Sequence, residues 1–426
     1  MEKLKLSRGF TPKLIGHPDD SMIRMPLPAT IGYAAGDIPF IRPKLLVKEG
    51  MAVKTGTPLF TDKRDLSIQY LSPATGTVKK ILFGERRRLL EVIIDPTPKD
   101  EFVEFGALSG EALGAMDTSE LVNHLKKGGL WQGMRQFPAL DAATPSHPPS
   151  MIIVSLNGND LFSPDPAIVL KDNMDAFHTG MALLKRFSHR LIVTARQGSM
   201  ENLLDQCPDM ENIVTHVTDD TYPAWNPGVV LYKIKETKIE NSSWTISLGH
   251  LIMMGQFLMT GHYPVEKIIT VSCGDHHRPH MRIRQGAPVN TLTAPAEADG
   301  LITTGRFNGR ILSPTAHIGF FENTLNLIDG APDDEMFGFV RPGLDKHTLS
   351  WTFLSALFKN KPTQLDCTLH GELRACINCS YCQRICPNDL LPNFIMKALH
   401  ADEIEEALSL GMLDCARCGL CSYTCP

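Results

Sequence analysis

The sequence predicts a multidomain α/β protein with a β-rich N-terminal domain, a central α/β domain, a small β-rich module and a helical C-terminal domain. Short glycine-punctuated β segments occupy residues 42–82, and buried strands alternate with an amphipathic helix over residues 151–196. Helical patterns separate two cysteine runs after residue 376. A chain of 426 residues is long enough for about two to four domains. We expect their limits at 1–100, 101–255, 256–335 and 336–426.

The composition is that of a globular protein, with 43% hydrophobic and 21% charged residues and a net charge of −5. This slight acidity argues against nucleic acid as a partner. No apolar run reaches the roughly eighteen residues of a membrane span. The N-terminal MEKLKLSRGF lacks the apolar stretch of a secretory signal. We therefore expect a reducing cytoplasmic location, with a membrane reached only through a membrane-embedded partner.

Residues 42–62 and 71–82 read as short strands joined by glycine turns. This pattern resembles the barrel-sandwich hybrid of biotinyl and lipoyl domains, in which a hairpin lysine carries the cofactor. Lys63 lies near the equivalent hairpin, but the A-M-K-M surround of biotin domains is absent. We expect Lys63 to be an exposed loop residue. Arg86–Arg88 predict a solvated turn, with a docking patch for a partner as the alternative.

The segment MIIVSLNG at 151–158 predicts a buried parallel strand, followed by a helix over 164–187 and a second strand over 190–196. This order predicts a Rossmann-like α/β unit. However, the turn after the first strand reads NGNDLFSPDP, without the G-x-G-x-x-G glycines that let backbone approach a pyrophosphate. Bound NAD or flavin is therefore not expected. The polar residues of this turn are predicted to be loop and N-cap residues: Asn157, Asp160 and Asp165.

Tyr222 and Trp225 lie on a proline-rich loop. We expect this loop to pack between domains, with a binding surface as the alternative. Residues 243–273 predict a strand, a helix with a methionine-rich core face, and another strand.

Three histidines, His276, His277 and His280, follow that strand. Adjacent histidines on a strand point to opposite faces, so we do not expect a metal site there. Residues 285–329 contain the short strand signals VNTLT, GRILSP and LNLI. They predict a small β-grasp-like module of the SLBB type.

The most specific motif is C-x2-C-x2-C-x3-C-P, which occurs at 376–387 and again at 415–426. Thiolates are the soft ligands of iron–sulfur clusters, and this spacing is that of two-cluster ferredoxins. Zinc usually takes two separated ligand pairs, and disulfides need an oxidising compartment. The motif therefore predicts two 4Fe-4S clusters. Their predicted ligands are eight of the eleven cysteines: Cys376, Cys379, Cys382, Cys386, Cys415, Cys418, Cys421 and Cys425.

Two short helical patterns lie between the motifs, with an Asp402-x-x-Glu405 capping pattern between them and Gly411 at the end of the second. They predict an α-helical ferredoxin in which each fourth cysteine ligates the other cluster. One cluster would be held by Cys376, Cys379, Cys382 and Cys425, and the other by Cys415, Cys418, Cys421 and Cys386. Cys367 is expected to be a packed thiol. A ferredoxin fold ordinarily continues beyond its last cysteine, so further residues are expected after Pro426.

Several long segments together resemble the A-subunit family of the sodium-translocating NADH:quinone oxidoreductase: RPKLLVKEG, SPATGTV, FGERRRL, NPGVVLYKIK, LITTGRFNGR and GFVRPGLDKHTLS. The resemblance runs from about residue 5 to about residue 360. It implies a peripheral subunit on the cytoplasmic side of the bacterial inner membrane, in contact with the membrane-embedded B subunit. The complex carries electrons from NADH to quinone and exports sodium, with NAD and flavins on partner subunits.

The cysteine tail departs from that family and resembles the C subunit of the Rnf complex, a ferredoxin:NAD oxidoreductase. The Rnf-type subunit carries a GGAGFP-type nucleotide loop, and nothing like it follows residue 151. We therefore expect an A-type subunit whose clusters relay electrons and which is inactive when isolated. Two alternatives remain, an Rnf-type C subunit and a docking subunit with purely structural clusters. Catalytic and quinone-contacting residues are not evident from the sequence.

Overall fold

The computed structural model describes residues 1–15, 17–108, 110–273, 279–293, 301–305, 307–328 and 375–425, with residues 342, 344, 354–357 and 362. Its strands are β1 (Glu2–Leu4), β2 (Met22–Arg24), β3 (Ile31–Ala34), β4 (Pro43–Leu45), β5 (Ala52–Val53), β6 (Pro58–Asp62), β7 (Asp65–Leu71), β8 (Gly76–Phe83), β9 (Leu89–Pro96), β10 (Arg135–Gln136), β11 (Asp141–Ala142), β12 (Ile152–Ser155), β13 (Leu191–Arg196), β14 (His216–Thr218), β15 (Trp244–Ser247), β16 (Glu266–Cys273), β17 (His280–Arg284), β18 (Leu301–Thr303), β19 (Ile311–Leu312) and β20 (Thr324–Ile328). Its α-helices are α1 (Gly110–Ala115), α2 (Thr118–Lys127), α3 (Pro166–Leu170), α4 (Met174–Lys185), α5 (Gln197–Gln206), α6 (Met210–Ile213), α7 (Pro227–Ile234), α8 (Leu248–Thr260), α9 (Tyr381–Ile385), α10 (Pro392–His400), α11 (Ile404–Ser409) and α12 (Leu420–Tyr423).

The N-terminal domain is built from two small sheets, with strand orders β3-β9-β8-β5 and β4-β6-β7. Both contribute to one apolar core, in which Phe60 stacks on Tyr70 with ring centroids 4.7 Å apart. Tyr33, from the first sheet, meets Phe60 edge-on at 5.4 Å. The predicted barrel-sandwich architecture is confirmed.

The two charged turns of this domain lie at its surface. Lys63 is exposed at the tip of the β6–β7 hairpin, as expected for a loop lysine. Its neighbour Arg64 binds the buried Asp62 and also Asp141, and so ties the hairpin to the following domain. The arginine turn at 86–88 is also exposed, which agrees with the prediction of a solvated turn.

The central domain contains a seven-stranded sheet with the order β1-β14-β13-β12-β15-β10-β11. Strands β1, β14, β13, β12 and β15 are parallel, and β10 pairs antiparallel with β15. The Rossmann-like prediction is confirmed. The single helix expected over 164–187 is instead two, α3 and α4, because the Asn173 side chain bonds the Val169 carbonyl at 2.8 Å and Asn173 restarts the helix. The methionine-rich helix is α8, whose Met253, Met254 and Phe257 are buried.

The third sheet has the order β19-β18-β20-β16-β17-β2. Two of the three predicted strand signals form strands, β19 and β20. The VNTLT segment does not, because Val289–Thr291 is a 3₁₀ turn that begins after Pro288. The Thr291 hydroxyl donates to the Pro288 carbonyl at 2.7 Å and closes this turn.

The C-terminal segment 375–425 is helical, with α10 and α11 between the cysteine motifs as predicted. The expected capping pattern does not form. Helix α11 starts after Glu403 without a side-chain cap, and Asp402 takes a left-handed conformation with φ 58°. Gly411, with φ 81°, follows the end of α11 as expected. The domain ranges proposed from the sequence stay a prediction.

Candidate metal centre

The two cysteine motifs have left-handed residues at the same two positions. Asn378 and Arg417, which precede the second cysteine of each motif, have φ of 58° and 53°. Ser380 and Gly419, which follow that cysteine, have φ of 64° and 80° and precede the short helices α9 and α12. Successive N–H groups in such alternating conformations form concavities that bind anions. Each motif is therefore shaped to face a negatively charged group.

Backbone N–H groups also point at individual thiols. The N–H of Arg417 donates to Cys415 Sγ at 3.4 Å. Burial raises the pKa of Cys386, while N–H groups of Leu390 and Asn388 act in the opposite direction. Such N–H···S contacts stabilise thiolates and are one of the means by which proteins set cluster potentials.

One cavity of about 610 Å³ is lined by cysteines of both motifs: Cys386, Cys415, Cys418 and Cys421. The pKa of Cys386 also indicates that it lies near the second motif. Burial is the main cause that raises this pKa, and the neighbouring charges of Cys415 and Cys421 raise it further. Burial raises the pKa of Cys418 to about 12. These four thiols, one from the first motif and three from the second, are the set that crossed ligation predicts for one cluster. The ligation itself stays a prediction.

Of the cysteines that line this cavity, Cys386 is buried, Cys418 and Cys421 are half-buried and Cys415 is exposed. Of the other four, Cys376 and Cys425 are exposed and Cys379 and Cys382 are half-buried. All eight motif thiols are free of disulfides. Within the described residues, no three Cys, His, Asp or Glu side chains are gathered closely enough to hold a single metal ion. A four-iron cubane spaces its ligand sulfurs more widely than one ion does. Eight free thiols on two anion-facing loops therefore fit iron–sulfur clusters by donor type and loop shape. Cys367 lies outside the described residues.

The aromatic loop of the central domain holds the second motif. The Tyr222 hydroxyl donates to the Cys418 carbonyl at 2.8 Å, and Asn226 Nδ2 donates to the Ala416 carbonyl at 3.3 Å. Tyr222 and Trp225 are buried in one apolar cluster with Leu420 of the tail. The prediction that this loop packs between domains is confirmed.

Other contacts to the tail were not found by sequence reasoning. Lys235 Nζ forms an ion pair with Asp414, just before the second motif. Arg8 Nη1 lies 3.0 Å from an Asp389 carboxylate oxygen. The only sequence signal was the long NPGVVLYKIK segment, which begins at Asn226 and contains Lys235.

The polar residues after β12 have structural roles, as expected. Asn157 Oδ1 accepts the Arg196 N–H at 2.8 Å, and Asp165 caps α3 by accepting the Ala167 N–H at 2.8 Å. The Asp160 carboxylate accepts from Asn326 Nδ2 at 2.9 Å. These three side chains hold the turn in place.

The turn after β12 is closely packed at Gly158. A Cβ on Gly158 would lie 2.6 Å from the Ser163 side chain and 2.8 Å from that of Asn323. A cavity of about 480 Å³ does lie at the carboxyl ends of β12 and β15, the usual ligand position in such sheets. It extends to Arg417 of the second motif.

The histidine cluster does not form a metal site in the part of it that is described. His280 is buried, its Nδ1–H donates to the Asp19 carbonyl at 3.0 Å, and its Nε2 accepts the Asp165 N–H at 3.0 Å. Burial lowers the pKa of His280, which favours this neutral form. His276 and His277 lie outside the described residues.

Three family models match consecutive parts of the chain. The NqrA N-terminal barrel-sandwich hybrid domain matches residues 4–97, and the NqrA second alpha/beta domain matches 116–263. A 4Fe-4S dicluster domain matches 370–426.

Curated relatives align along nearly the whole chain. The A subunit of Na(+)-translocating NADH-quinone reductase from Neisseria meningitidis serogroup B is 27% identical over 435 residues, covering 99% of this chain and 95% of the relative. The A subunit of the same reductase from Saccharophagus degradans is 28% identical over 431 residues with the same coverage. Among solved structures, an NAD+-reducing NiFe hydrogenase in its H2-reduced state matches 51% of this chain and 49% of its own, with 10% identity and a TM-score of 0.38. A TM-score this low does not establish a common fold.

Proposed function

We propose that this chain is an electron-relay subunit of a membrane respiratory complex. It matches both NqrA domain models and is homologous over its full length to the A subunit of Na(+)-translocating NADH-quinone reductase. Its C-terminal segment also matches a 4Fe-4S dicluster domain. The complex would couple NADH oxidation and quinone reduction to sodium export. The observation that carries the relay role is the full set of eight free thiols on two matching loops.

The chain's own residues would hold two clusters in the crossed arrangement. The cavity shared by Cys386 and the second motif supports one half of it. The clusters, when bound, supply one-electron transfer. The N–H of Arg417 would donate to the Cys415 thiolate, and Tyr222 and Asn226 hold the second motif against the central domain. No catalytic residue of this chain is proposed.

The other redox steps are proposed to occur on partner subunits. NADH and flavins would bind there, because the turn after β12 lacks the G-x-G-x-x-G glycines that let backbone approach a pyrophosphate. Quinone would be the substrate of the whole complex. Within the described residues, no helix combines the length and apolar character needed to cross a membrane. We propose a peripheral position on the cytoplasmic side, with the membrane-embedded B subunit as neighbour.

Two other functions have weaker support. An Rnf-type C subunit would need the glycine-rich nucleotide loop, which is missing from the turn at 157–165. The second of these functions is that of a docking subunit whose clusters are only structural. The complete set of eight thiols favours the relay, because a tail that had lost its clusters would have no chemical reason to keep eight thiols at ligand spacing.

The test is metal analysis and spectroscopy of the purified full chain, prepared without oxygen. We expect about eight iron atoms and about eight acid-labile sulfides per chain. Dithionite reduction should produce electron paramagnetic resonance signals of two interacting 4Fe-4S clusters. Zinc in place of iron, or clusters that no reductant within the respiratory range reduces, would refute the relay.

A further inference from the structure

Four exposed apolar side chains of helices α10 and α11 are together called the apolar stripe. One of them, Leu399, also lines the cavity shared by Cys386 and the second motif. Phe394 and Leu399 of α10 are 43% and 40% exposed, and Ile404 and Leu408 of α11 are 50% and 43% exposed. Ile404 and Leu408 are one turn apart and share a helix face. Of α11, only Ala407 is buried. An apolar helix face that remains exposed at the surface is a candidate for contact with another molecule.

The stripe begins beside the first cysteine motif. Lys397 Nζ of α10 donates to Asn378 Oδ1 at 3.3 Å, and Asn393 Nδ2 donates to the same oxygen at 2.8 Å. Asn378 belongs to the loop that carries Cys376, and both Cys376 and Cys425 are exposed. The surface therefore adjoins the loop of the first motif, whose Cys376 is exposed.

Four exposed carboxylates, Asp402, Glu403, Glu405 and Glu406, flank the apolar stripe. None of them forms an ion pair with a residue that the structure describes. No lysine or arginine occurs between Lys397 and Arg417 in the sequence. The stripe and these carboxylates together are called the α10–α11 face. Its uncompensated negative charge would repel an anionic membrane surface and attract a basic protein.

We propose that the α10–α11 face docks an electron-transfer protein whose surface has an apolar centre and a basic rim. The proposal rests on the proposed function, because electron transfer is what would require such a partner beside the clusters. Contacts between redox proteins are small, below about 1,200 Å² in total, so two short helices offer sufficient area. Charge would steer the encounter and the apolar stripe would hold it.

The test uses cytochrome c, a small basic electron-transfer protein, as the probe and the cluster-loaded full chain as the target. Calorimetry at low and high ionic strength measures binding without relying on electron transfer. Glu405→Lys with Glu406→Lys should weaken binding on the order of tenfold at low salt and flatten its salt dependence. Ile404→Gln with Leu408→Gln should weaken binding at both salt concentrations.

The matched control is Glu201→Lys with Asp205→Lys, two exposed carboxylates one turn apart on α5. This pair makes the same change in net charge at positions distant in sequence from the α10–α11 face. The affinity of this variant for cytochrome c should stay within about twofold of that of the unaltered chain. Equal weakening by the control pair would overturn the proposal, since net charge alone would then explain binding. Binding to phosphatidylglycerol vesicles that Ile404→Gln with Leu408→Gln abolishes would also overturn it.

Iron, sulfide and paramagnetic resonance are measured on every variant. A chain without redox-active clusters would refute the proposed function. Intact clusters with binding that is insensitive to the α10–α11 face would refute only the docking proposal.

Discussion

At the scale of single residues, the site depends on positions where the backbone is left-handed and on cysteines that are predicted to ligate across motifs. Gly419 has φ 80°, and a Cβ there would collide with the Phe307 carbonyl oxygen. Ser380 occupies the matching position of the first motif with φ 64° and no such restriction from Phe307. The two loops are therefore alike in conformation but differ in how tightly the rest of the molecule confines them.

Cys425→Ser is expected to damage the cluster held by the first motif rather than the second, because we assign Cys425 to the first cluster. Paramagnetic resonance of the reduced protein should lose the signal that Cys379→Ser also removes. Cys386→Ser should conversely remove the signal that Cys418→Ser removes. If Cys425→Ser and Cys418→Ser remove the same signal, ligation is local and the crossed assignment is wrong.

Gly419→Ala should reduce occupancy of the second-motif cluster, because the added Cβ collides with the Phe307 backbone. The left-handed conformation adds strain of about 1 kcal/mol or more. Iron content per chain measures the loss. The control is Gly411→Ala, at φ 81° in the same domain, where a Cβ would meet only a Leu390 methyl at 3.2 Å. Equal iron loss in both variants would mean that strain, and not contact with Phe307, is responsible.

At the scale of elements, close helix packing forms the core of the central domain. Helices α4 and α8 pack so closely that a Cβ on Gly255 would overlap the Ala176 carbonyl oxygen. A Cβ on Gly180 would likewise lie 2.7 Å from a Leu251 side-chain atom. Glycine in a helix lowers stability by about 1 kcal/mol relative to alanine. At these two positions, the absence of a side chain allows the close approach of the two helices.

Gly255→Ala should lower the free energy of unfolding by about 1–3 kcal/mol, because the helices must separate. Differential scanning calorimetry measures the change in the transition of the central domain. Gly249→Ala, in the same helix with no neighbour within 4 Å of its Cβ, serves as the control. Gly249→Ala should raise the free energy of unfolding slightly, because alanine has a higher helix propensity than glycine. Stabilisation of similar size in both variants would show that the contact with Ala176 does not constrain the sequence.

At the scale of the whole molecule, the second motif lies between domains. Tyr222 and Asn226 bond its backbone, and a cavity at the carboxyl ends of the central parallel strands extends to Arg417. The first motif contacts helix α10 through Asn378, and its Cys386 is buried, whereas Cys415 and Cys425 of the second motif are exposed. The predicted cluster of Cys415, Cys418, Cys421 and Cys386 includes one buried thiol, whereas none of Cys376, Cys379, Cys382 and Cys425 is buried.

The isolated chain is expected neither to bind nor to oxidise NADH, because the turn after β12 lacks the glycines of a pyrophosphate-binding loop. Calorimetry with the purified chain measures binding, and absorbance of the nicotinamide measures turnover. Micromolar binding would contradict this expectation and would favour the Rnf-type alternative.

The isolated chain should remain in the supernatant when it is mixed with protein-free liposomes, and should sediment with membranes that contain its partner subunits. The reason is that described helices lack membrane-spanning character and that the homologues are subunits of a multi-subunit reductase. A flotation assay separates the two results. Stable flotation with protein-free liposomes would point to an amphipathic anchor.

The sequence alone determined the features that depend on local spacing. Cysteine spacing identified eight candidate thiol ligands, and strand and helix periodicities identified the Rossmann-like unit and the helices between the motifs. The absence of glycines after β12 indicated a turn without a pyrophosphate cradle. The strand and helix predictions succeeded because hydrophobic period is a property of neighbouring residues.

Only the tertiary structure decided which distant segments meet. Residues 1–29 carried little sequence signal, yet β1 extends the central sheet beside β14 and β2 extends the third sheet beside β17. Edge pairing uses backbone hydrogen bonds, which every sequence offers, so it leaves no motif to read. The same holds for Tyr222, whose bond to a backbone carbonyl of Cys418 spans 196 positions. Such contacts depend on how domains pack, and local spacing carries no information about that.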